Sequence, residues 1–542
     1  MDTIDDLFRR LEYLNVIGAA LSQESNIDRL LESILVAAKV ITHADGGTLY
    51  RVSEDGRFLR FEIVRTDSLH IAFGGTTGHP ISEKFPDLPL YSDDGAPNSS
   101  MIAAYSAIYA KSVNIADAYT EKGFDFSGTR QFDQVTGYRS QSFLSVPMKN
   151  HENEIIGVLQ LINATDPEHG GVHEFTDSDQ RLAESLASQA AIALTNRLLI
   201  SQLEVLFESF IGLINLAIDE KSPYTGGHCQ RVPSLTMLLA EAVNATQEGP
   251  LAGFTMSDKD RYELKIAGLL HDCGKVTTPV HVVDKATKLH TIFDRIHQID
   301  TRFELVKRDR ELTMLRAVMA GEERVAAEQR FNESIRAIDA DRDFLRRANV
   351  GGEAMRAEDQ ERVRSISQHY RWRNLEGQEV DFLSAEELEN LTIRAGTLTQ
   401  AEREIINHHI VATIKMLEAL PWPKHLKNVP EYAGGHHERM DGKGYPKGLK
   451  REEMSVQARV MGIADIFEAL TARDRPYKPG MKLSEALRIL ANFSCNGHID
   501  PELFAVFVKE KVYLNYAERY LDEAQIDTVD EAMVLLGSRT RA

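Results

Sequence analysis

Seven side chains able to hold a cation are scattered over a long stretch of this chain, and their scatter constrains the fold more than any other feature. They are His228, the adjacent His271-Asp272, His409, the adjacent His436-His437 and Asp465. A histidine pair alone says little, because most histidines are exposed or serve as hydrogen-bonders in a core. The settings give these residues weight. His271-Asp272 follows the apolar run Leu264 to Leu270 and precedes Gly274-Lys275. Asp465 falls between Ile463, Ile466 and Phe467, where an unpaired carboxylate is costly and needs a cation or a donor. His408 and His409 lie in a helical pattern over 402–417, where neighbours point about 100° apart and do not easily share one ion. An aspartate can bridge two cations through its two oxygens, and neutral imidazole suits Fe, Mn, Zn or Ni. Such a set requires helices that bring distant segments to one point.

The remaining bulk properties bound the problem. At 542 residues the chain is too long for one core, so two or three domains are expected. A net charge of -20 argues against a nucleic-acid polymer as partner, while a metal-rich pocket can still attract a small phosphorylated ligand. Cys229, Cys273 and Cys495 have no framework spacing, and the acidic start Met1-Asp2-Thr3-Ile4-Asp5-Asp6 lacks signal-peptide order. No run of about 18 apolar residues is read as a membrane span. A cytoplasmic protein without a membrane partner is expected.

Residues 4 to about 42 have helical spacing, through Leu7, Leu11, Leu14, Ile17, Leu21, Leu30, Leu31, Ile34 and Leu35. Alternating runs at 47–52 and 58–64 flank Ser53-Glu54-Asp55-Gly56, and 142–148 and 155–163 form a second such pair. A polar loop covers about 74–100. These elements predict a compact α+β domain over 1–198, an antiparallel sheet with helices. From 176 to 218 the pattern predicts one long connecting helix, with Leu182, Leu186, Ala190, Ala193 and Ile200 along one side. It pairs with a second copy in a dimer or packs on its own domain; its spacing is not read as a strict sustained heptad.

The first domain resembles a GAF domain, on Asn114 to Tyr119, Phe132 to Arg139 and the Ser142 to Asn163 hairpin. It is closest to those of cyclic-nucleotide phosphodiesterases. Asn163, Phe175 and Asp179 fit that signature, whereas Ala164 and Gln180 replace its lysine and glutamate, so its lysine–aspartate ion pair cannot form. The resemblance implies either a small ligand such as a cyclic nucleotide or a ligand-free regulatory, dimerising module.

Residues 219–542 resemble the HD-GYP family, an all-α branch of the HD-type metal phosphohydrolases. The resemblance rests on Pro223-Tyr224-Thr225 with His228, His271-Asp272 with Gly274-Lys275, Leu398-Thr399 with His409, His436-His437-Glu438-Arg439 with Asp441-Gly442 and Gly444-Tyr445-Pro446, and Asp465 with Arg475-Pro476-Tyr477. It implies hydrolysis of cyclic di-GMP to pGpG, and onward to GMP, by a metal-bridged hydroxide. It implies His228, His271, Asp272, His409, His436, His437 and Asp465 as ligands, with Asp272 as bridge. Lys275 would hold a substrate phosphate, and Arg475 and Lys478 would contact the other phosphate or a guanine. Members with a third metal carry a glutamate four residues before the first histidine. Tyr224 stands there, so two divalent ions are expected, iron or manganese ahead of nickel or zinc.

The chain also departs from that pattern between His271 and His409, which stand 138 positions apart in place of a normally short connection. Residues 291–395 read as a helical insertion, a helical excursion or antiparallel hairpin, with Trp372, Phe382 and Leu383 anchoring its return. It serves as a lid, a dimer contact or a surface for a signalling protein, or it is a solvated decoration; His281, His290, His297 and His369 are read as non-ligands. The alternatives to a cyclic di-GMP phosphodiesterase are a 3',3'-cyclic GMP-AMP phosphodiesterase and a non-catalytic cyclic dinucleotide receptor.

Overall fold

The computed structural model describes residues 4–24, 26–81, 85–92, 94–166, 169–221, 227–352, 354–374, 376–473 and 480–538. The chain divides into two compact units, 1–206 and 207–542. In the first, the helical pattern over 4–42 is two helices, Ile4–Gln23 and Ile27–Thr42, because Asn26 caps the second by accepting the Arg29 N–H. Among the described residues the sheet has eight strands: β1 Ala44–Val52, β2 Phe58–Thr66, β3 Ile71–Gly74, β4 Leu88–Pro89, β5 Val113–Ile115, β6 Phe143–Lys149, β7 Ile155–Thr165 and β8 Val172–His173. Its main path is β3-β2-β1-β7-β6-β5, antiparallel throughout, with β4 on β2 and β8 on β7. Leu30, Ile34, Leu49, Leu144, Leu159 and Leu186 are buried in the layer between helices and sheet. Asp179, left without a motif lysine, pairs instead with Arg10 from the N-terminal helix, and it also accepts the Thr176 N–H at 2.8 Å. The ion pair that the signature lacks is thus made from another element. On the sheet's other side, a cavity of about 390 Å³ is lined by Tyr50, Phe61, Phe126, Tyr138, Phe143 and Gln160, among others.

The connecting helix runs Asp177–Lys221. Its most apolar 18 residues have a mean hydropathy of 1.5, long and apolar enough to cross a membrane by length and composition, which corrects the expectation that no such run exists. Part of it also carries a polar stripe. Ser201, Glu204, Glu208, Gly212 and Asn215 follow one another at helical spacing, opposite exposed Leu199, Leu203, Leu206, Phe210 and Leu213.

The second unit is helical. The helices His228–Asn244, Asp258–Leu270, Gln400–Glu418, Val456–Thr471, Leu483–Cys495, Pro501–Lys509 and Val512–Tyr520 pack around one core. Their core includes Leu235, Leu264, Ile463, Phe467, Phe504 and Tyr516. Residues 291–395 contain the helices Ile296–Met319 and Arg324–Asn349, which pack together, followed by Ala357–His369, a two-stranded ribbon and Ala385–Leu391. They have their own core: Ile299, Phe303, Ile338, Leu345, Phe382 and Leu391. At its base, buried Lys285 donates to Glu402 at 2.7 Å and to Asn390 at 2.7 Å. Glu402 also closes the capping box of Thr399, so the insertion is clamped to the first turn of the helix that carries His409.

Candidate metal centre

All seven sequence-derived ligand candidates come together in the second unit. His228 opens its helix directly after Gly227, whose φ of 91° suits glycine alone. His271 closes the Asp258–Leu270 helix, and Asp272 begins the tight turn after it. That turn reaches the Gln400–Glu418 helix only because position 274 is glycine: a Cβ there would lie 2.0 Å from the His409 carbonyl oxygen. The Gly274 N–H instead donates to Thr413 Oγ1 at 2.9 Å. His409 faces inward and is buried, while His408 is exposed.

The donor atoms form two groups, His228/His271/Asp272 and His409/His436/His437, each with its ligand atoms within 4.8 Å of one another. Asp272 joins them. Its Oδ2 is 3.1 Å from His228 Nε2 and 3.3 Å from His271 Nε2, and its Oδ1 is 3.3 Å from His409 Nε2. Asp465 Oδ1 stands 3.3 Å from His228 Nε2, and His409 and His437 approach Nε2 to Nε2 at 3.2 Å. Lys275 Nζ is 2.5 Å from Asp272 Oδ2. Tyr224, Arg475 and Lys478 lie outside the described residues.

The outward nitrogens fix which way these rings face. His271 Nδ1 donates to the Gly268 carbonyl at 2.7 Å, His409 Nδ1 to Ile406 at 2.5 Å and His436 Nδ1 to Ala433 at 2.6 Å, each leaving the Nε2 lone pair for the centre. His228 Nδ1 has a carboxylate instead, Glu468 Oε2 at 2.5 Å, and Glu468 in turn takes Arg231 at 2.7 Å. Burial pushes His436 well below the usual imidazole range and His437 down to about 4, so both are neutral donors at pH 7. Burial alone would raise Asp272 and Asp465, but Lys275 and the neighbouring histidines hold Asp272 well below the usual carboxylate range, and His228 does the same for Asp465. Against burial, Asp272, Asp465 and Glu468 raise His228. Asp272 Oδ1 and His436 Nε2 are buried without a hydrogen-bond partner, and both belong to the donor groups. Orphaned buried acceptors and facing imidazole lone pairs are costly in a protein interior unless a cation lies between them. The residues fit a divalent metal.

Glu468 was not singled out from sequence, and Arg231 and Glu438 were given no role there. Glu468 was findable: it sits one turn after Asp465 in the same apolar helix, so the burial argument applies to both carboxylates. Glu438 accepts the Lys447 and Leu449 N–H groups at 2.7 and 2.9 Å, pinning the loop after the histidine pair. In that loop Tyr445 stacks on His437, with ring centroids 4.9 Å apart and planes 20° apart, and its N–H donates to the His437 carbonyl. Gly444 allows the fold-back, since a Cβ would lie 2.4 Å from the Arg439 nitrogen.

Comparison with known families now defines the class. Residues 26–194 match the GAF domain model, and residues 225–344 and 363–503 match HD domain models. The chain carries an N-terminal GAF domain and an HD domain that holds the histidine–aspartate centre. Among similar proteins, a cyclic di-GMP phosphodiesterase of Pseudomonas aeruginosa is 40% identical over 116 residues, 21% of this chain and 27% of that protein. A 3'3'-cGAMP-specific phosphodiesterase of Vibrio cholerae is 38% identical over 116 residues, covering 21% and 24%. A cyclic di-GMP phosphodiesterase of Thermotoga maritima is 35% identical over 136 residues, covering 25% and 36%. The chain thus spans about a quarter to just over a third of the length of these relatives.

Proposed function

We propose that the chain is a metal-dependent phosphodiesterase of the HD-GYP branch that hydrolyses cyclic di-GMP to pGpG, and onward to GMP. One observation carries this reading: the two oxygens of Asp272 face separate histidine groups. That arrangement suits two divalent ions, and five imidazoles with two aspartates favour iron or manganese over magnesium, with nickel and zinc next. When bound, such ions acidify a water towards neutral pH and offset charge on the phosphodiester oxygens. The chain's own part is to hold charge and orientation. Asp272 and Asp465 stay ionised, the Nδ1 bonds keep four rings aimed inward, and Tyr445 stacks against the fifth. Lys275, 2.5 Å from Asp272, would pass to a substrate phosphate. Hydrolysis adds water across one P–O bond and opens the dinucleotide ring.

A second reading, 3',3'-cyclic GMP-AMP as substrate, is supported by the Vibrio cholerae relative, whose name specifies it. Anaerobically purified protein should contain two iron or manganese ions per chain and cleave cyclic di-GMP faster than cyclic GMP-AMP; the reverse preference selects the second reading. Metal-replete protein that binds but cleaves neither is the non-catalytic receptor. The three free cysteines suit a reducing compartment such as the cytoplasm.

The proposed assembly is a homodimer through the connecting helix. Exposed Ile192, Asn196, Leu199, Leu203, Leu206, Phe210 and Leu213 follow alternating steps of four and three. This is a heptad seam, which revises the reading of that spacing: the regularity emerges once the residues buried on the other faces are set aside. Leucine at one core position and a lone asparagine at the other favour a parallel pair in register. Light scattering of the full chain should give twice the chain mass, and Leu203→Glu with Leu206→Glu should give one; a wild-type monomer at tens of micromolar defeats the assignment. Through that pair the GAF domain, with its aromatic cavity for a small ligand, would regulate the enzyme.

A further inference from the structure

The insertion contains a second concentration of charge, opposite in sign to the chain as a whole. A cleft of about 420 Å³ is lined by Lys288, Arg347, Arg356, Arg362 and Arg394, with Asp359 the carboxylate among its lining residues. Phe344, Ala348, Val350 and Met355 supply apolar surface between them. We propose that this cleft binds a phosphate-bearing anion, separately from the histidine centre.

The cleft is built rather than incidental. The segment after the Arg324–Asn349 helix is joined to the segment after the Ala385–Leu391 helix by two backbone hydrogen bonds, Met355 N–H to the Arg394 carbonyl at 2.6 Å and Gly396 N–H to the Gly352 carbonyl at 2.9 Å. Beneath them the buried Lys288 ammonium donates to the Leu391 and Ile393 carbonyls at 3.1 and 2.8 Å, fixing the strand of chain that presents Arg394. The cations differ in how far they are already neutralised. Arg356 takes Asp359 at 2.9 Å, and Arg362 takes Asp341 at 3.0 Å while lying over the Phe344 ring. Arg347 and Arg394 form no ion pair among the described residues. Guanidinium groups brought from separate segments suit the several oxygens of a phosphoryl group better than the two of a carboxylate, because each fork can take a different edge. The volume lies within the range of small-ligand pockets, so an organic phosphate as well as the free ion can enter. In a chain of net charge -20, such a cleft is a local reversal of field that draws anions in.

Calorimetry of the full chain in dilute, phosphate-free buffer, titrated with inorganic phosphate and separately with GMP, tests the proposal. Arg347 and Arg394 are both exposed, so Arg347→Ala with Arg394→Ala is expected to fold and to weaken binding by roughly tenfold or more. Arg308→Ala with Arg324→Ala removes the same charge from the hairpin away from the cleft and should leave the isotherm unchanged. Anion held at the histidine centre is common to all three proteins and cancels in the comparison. Tighter binding of GMP than phosphate identifies an organic ester as the ligand, and equal binding identifies the phosphoryl group alone; either supports the site. The proposal is overturned if the cleft variant titrates as wild type, if the control pair weakens binding equally, or if neither probe gives heat with the wild type.

Discussion

Asp272→Ala, and its near-isosteric companion Asp272→Asn, are expected to empty the centre of metal and lower cyclic dinucleotide turnover by at least ~10³-fold, about 4 kcal/mol of transition-state stabilisation at ~1.36 kcal/mol per tenfold. The expectation follows from position. Asp272 is the side chain with an oxygen in reach of each histidine group, 3.1 Å from His228 on one side and 3.3 Å from His409 on the other. A neutral asparagine fills the same space but offers one carbonyl oxygen and an amide that repels a cation. Alanine additionally leaves the Lys275 ammonium, 2.5 Å from that carboxylate, without its partner in a buried setting. The two variants therefore separate causes: alanine should lower both thermal stability and metal content, asparagine chiefly metal content. Metal analysis beside turnover decides it. An asparagine variant that loads and turns over like the wild type would remove the bridging role and with it the two-ion reading.

How much of this was legible in the sequence differs by element. The metal candidates were, because histidines and aspartates on apolar helices must be compensated somewhere, and residue type alone reveals the demand. Of His408 and His409 the resemblance implies the second as ligand, and the structure buries His409 and exposes His408. What was not legible is whatever depends on partners distant in sequence. Arg10 and Asp179 are 169 positions apart, and nothing local announces that an arginine in the first helix replaces a missing motif lysine. The proposed coiled-coil seam was hidden for a different reason. The connecting helix is apolar on more than one face, with Ile211 and Ile218 buried while Leu203 and Phe210 are exposed, so the two periodicities overlap in the linear pattern. The insertion reads as helical from its apolar spacing, but its arginine cleft arises where two loops cross, and loops carry no periodicity. Tyr445 shows the limit of motif reading from the other side: the motif draws attention to the residue, while its ring stack on His437 is visible only in three dimensions.

Glu468→Gln is expected to lower metal affinity by about 10–100-fold with the ligands themselves untouched, the range seen when a partner behind a metal-binding histidine is lost. Glu468 does not reach the donor groups; it acts through His228, holding Nδ1–H at 2.5 Å so that Nε2 points towards Asp272 and Asp465. The carboxylate is itself anchored by Arg231 and, despite burial, His228 and Arg231 keep it below its ordinary range, so it is ionised at pH 7. Glutamine preserves the shape and can accept from one partner, but it no longer supplies the negative charge that makes the imidazole a stronger donor to a cation. Glu468→Ala is more severe. It leaves the Arg231 guanidinium facing a space just vacated by a buried counter-charge, and truncating one member of such a pair costs about 3–5 kcal/mol of folding stability. The pair of variants distinguishes positioning from mere scaffolding. Metal titration followed by turnover should show glutamine restored towards wild-type rate at high metal, with stability little changed, whereas alanine should lower the melting temperature before any question of metal arises. If the glutamine variant binds metal as the wild type does, the carboxylate behind His228 is structural only, and the neutral tautomer of that ring must be fixed by the centre itself.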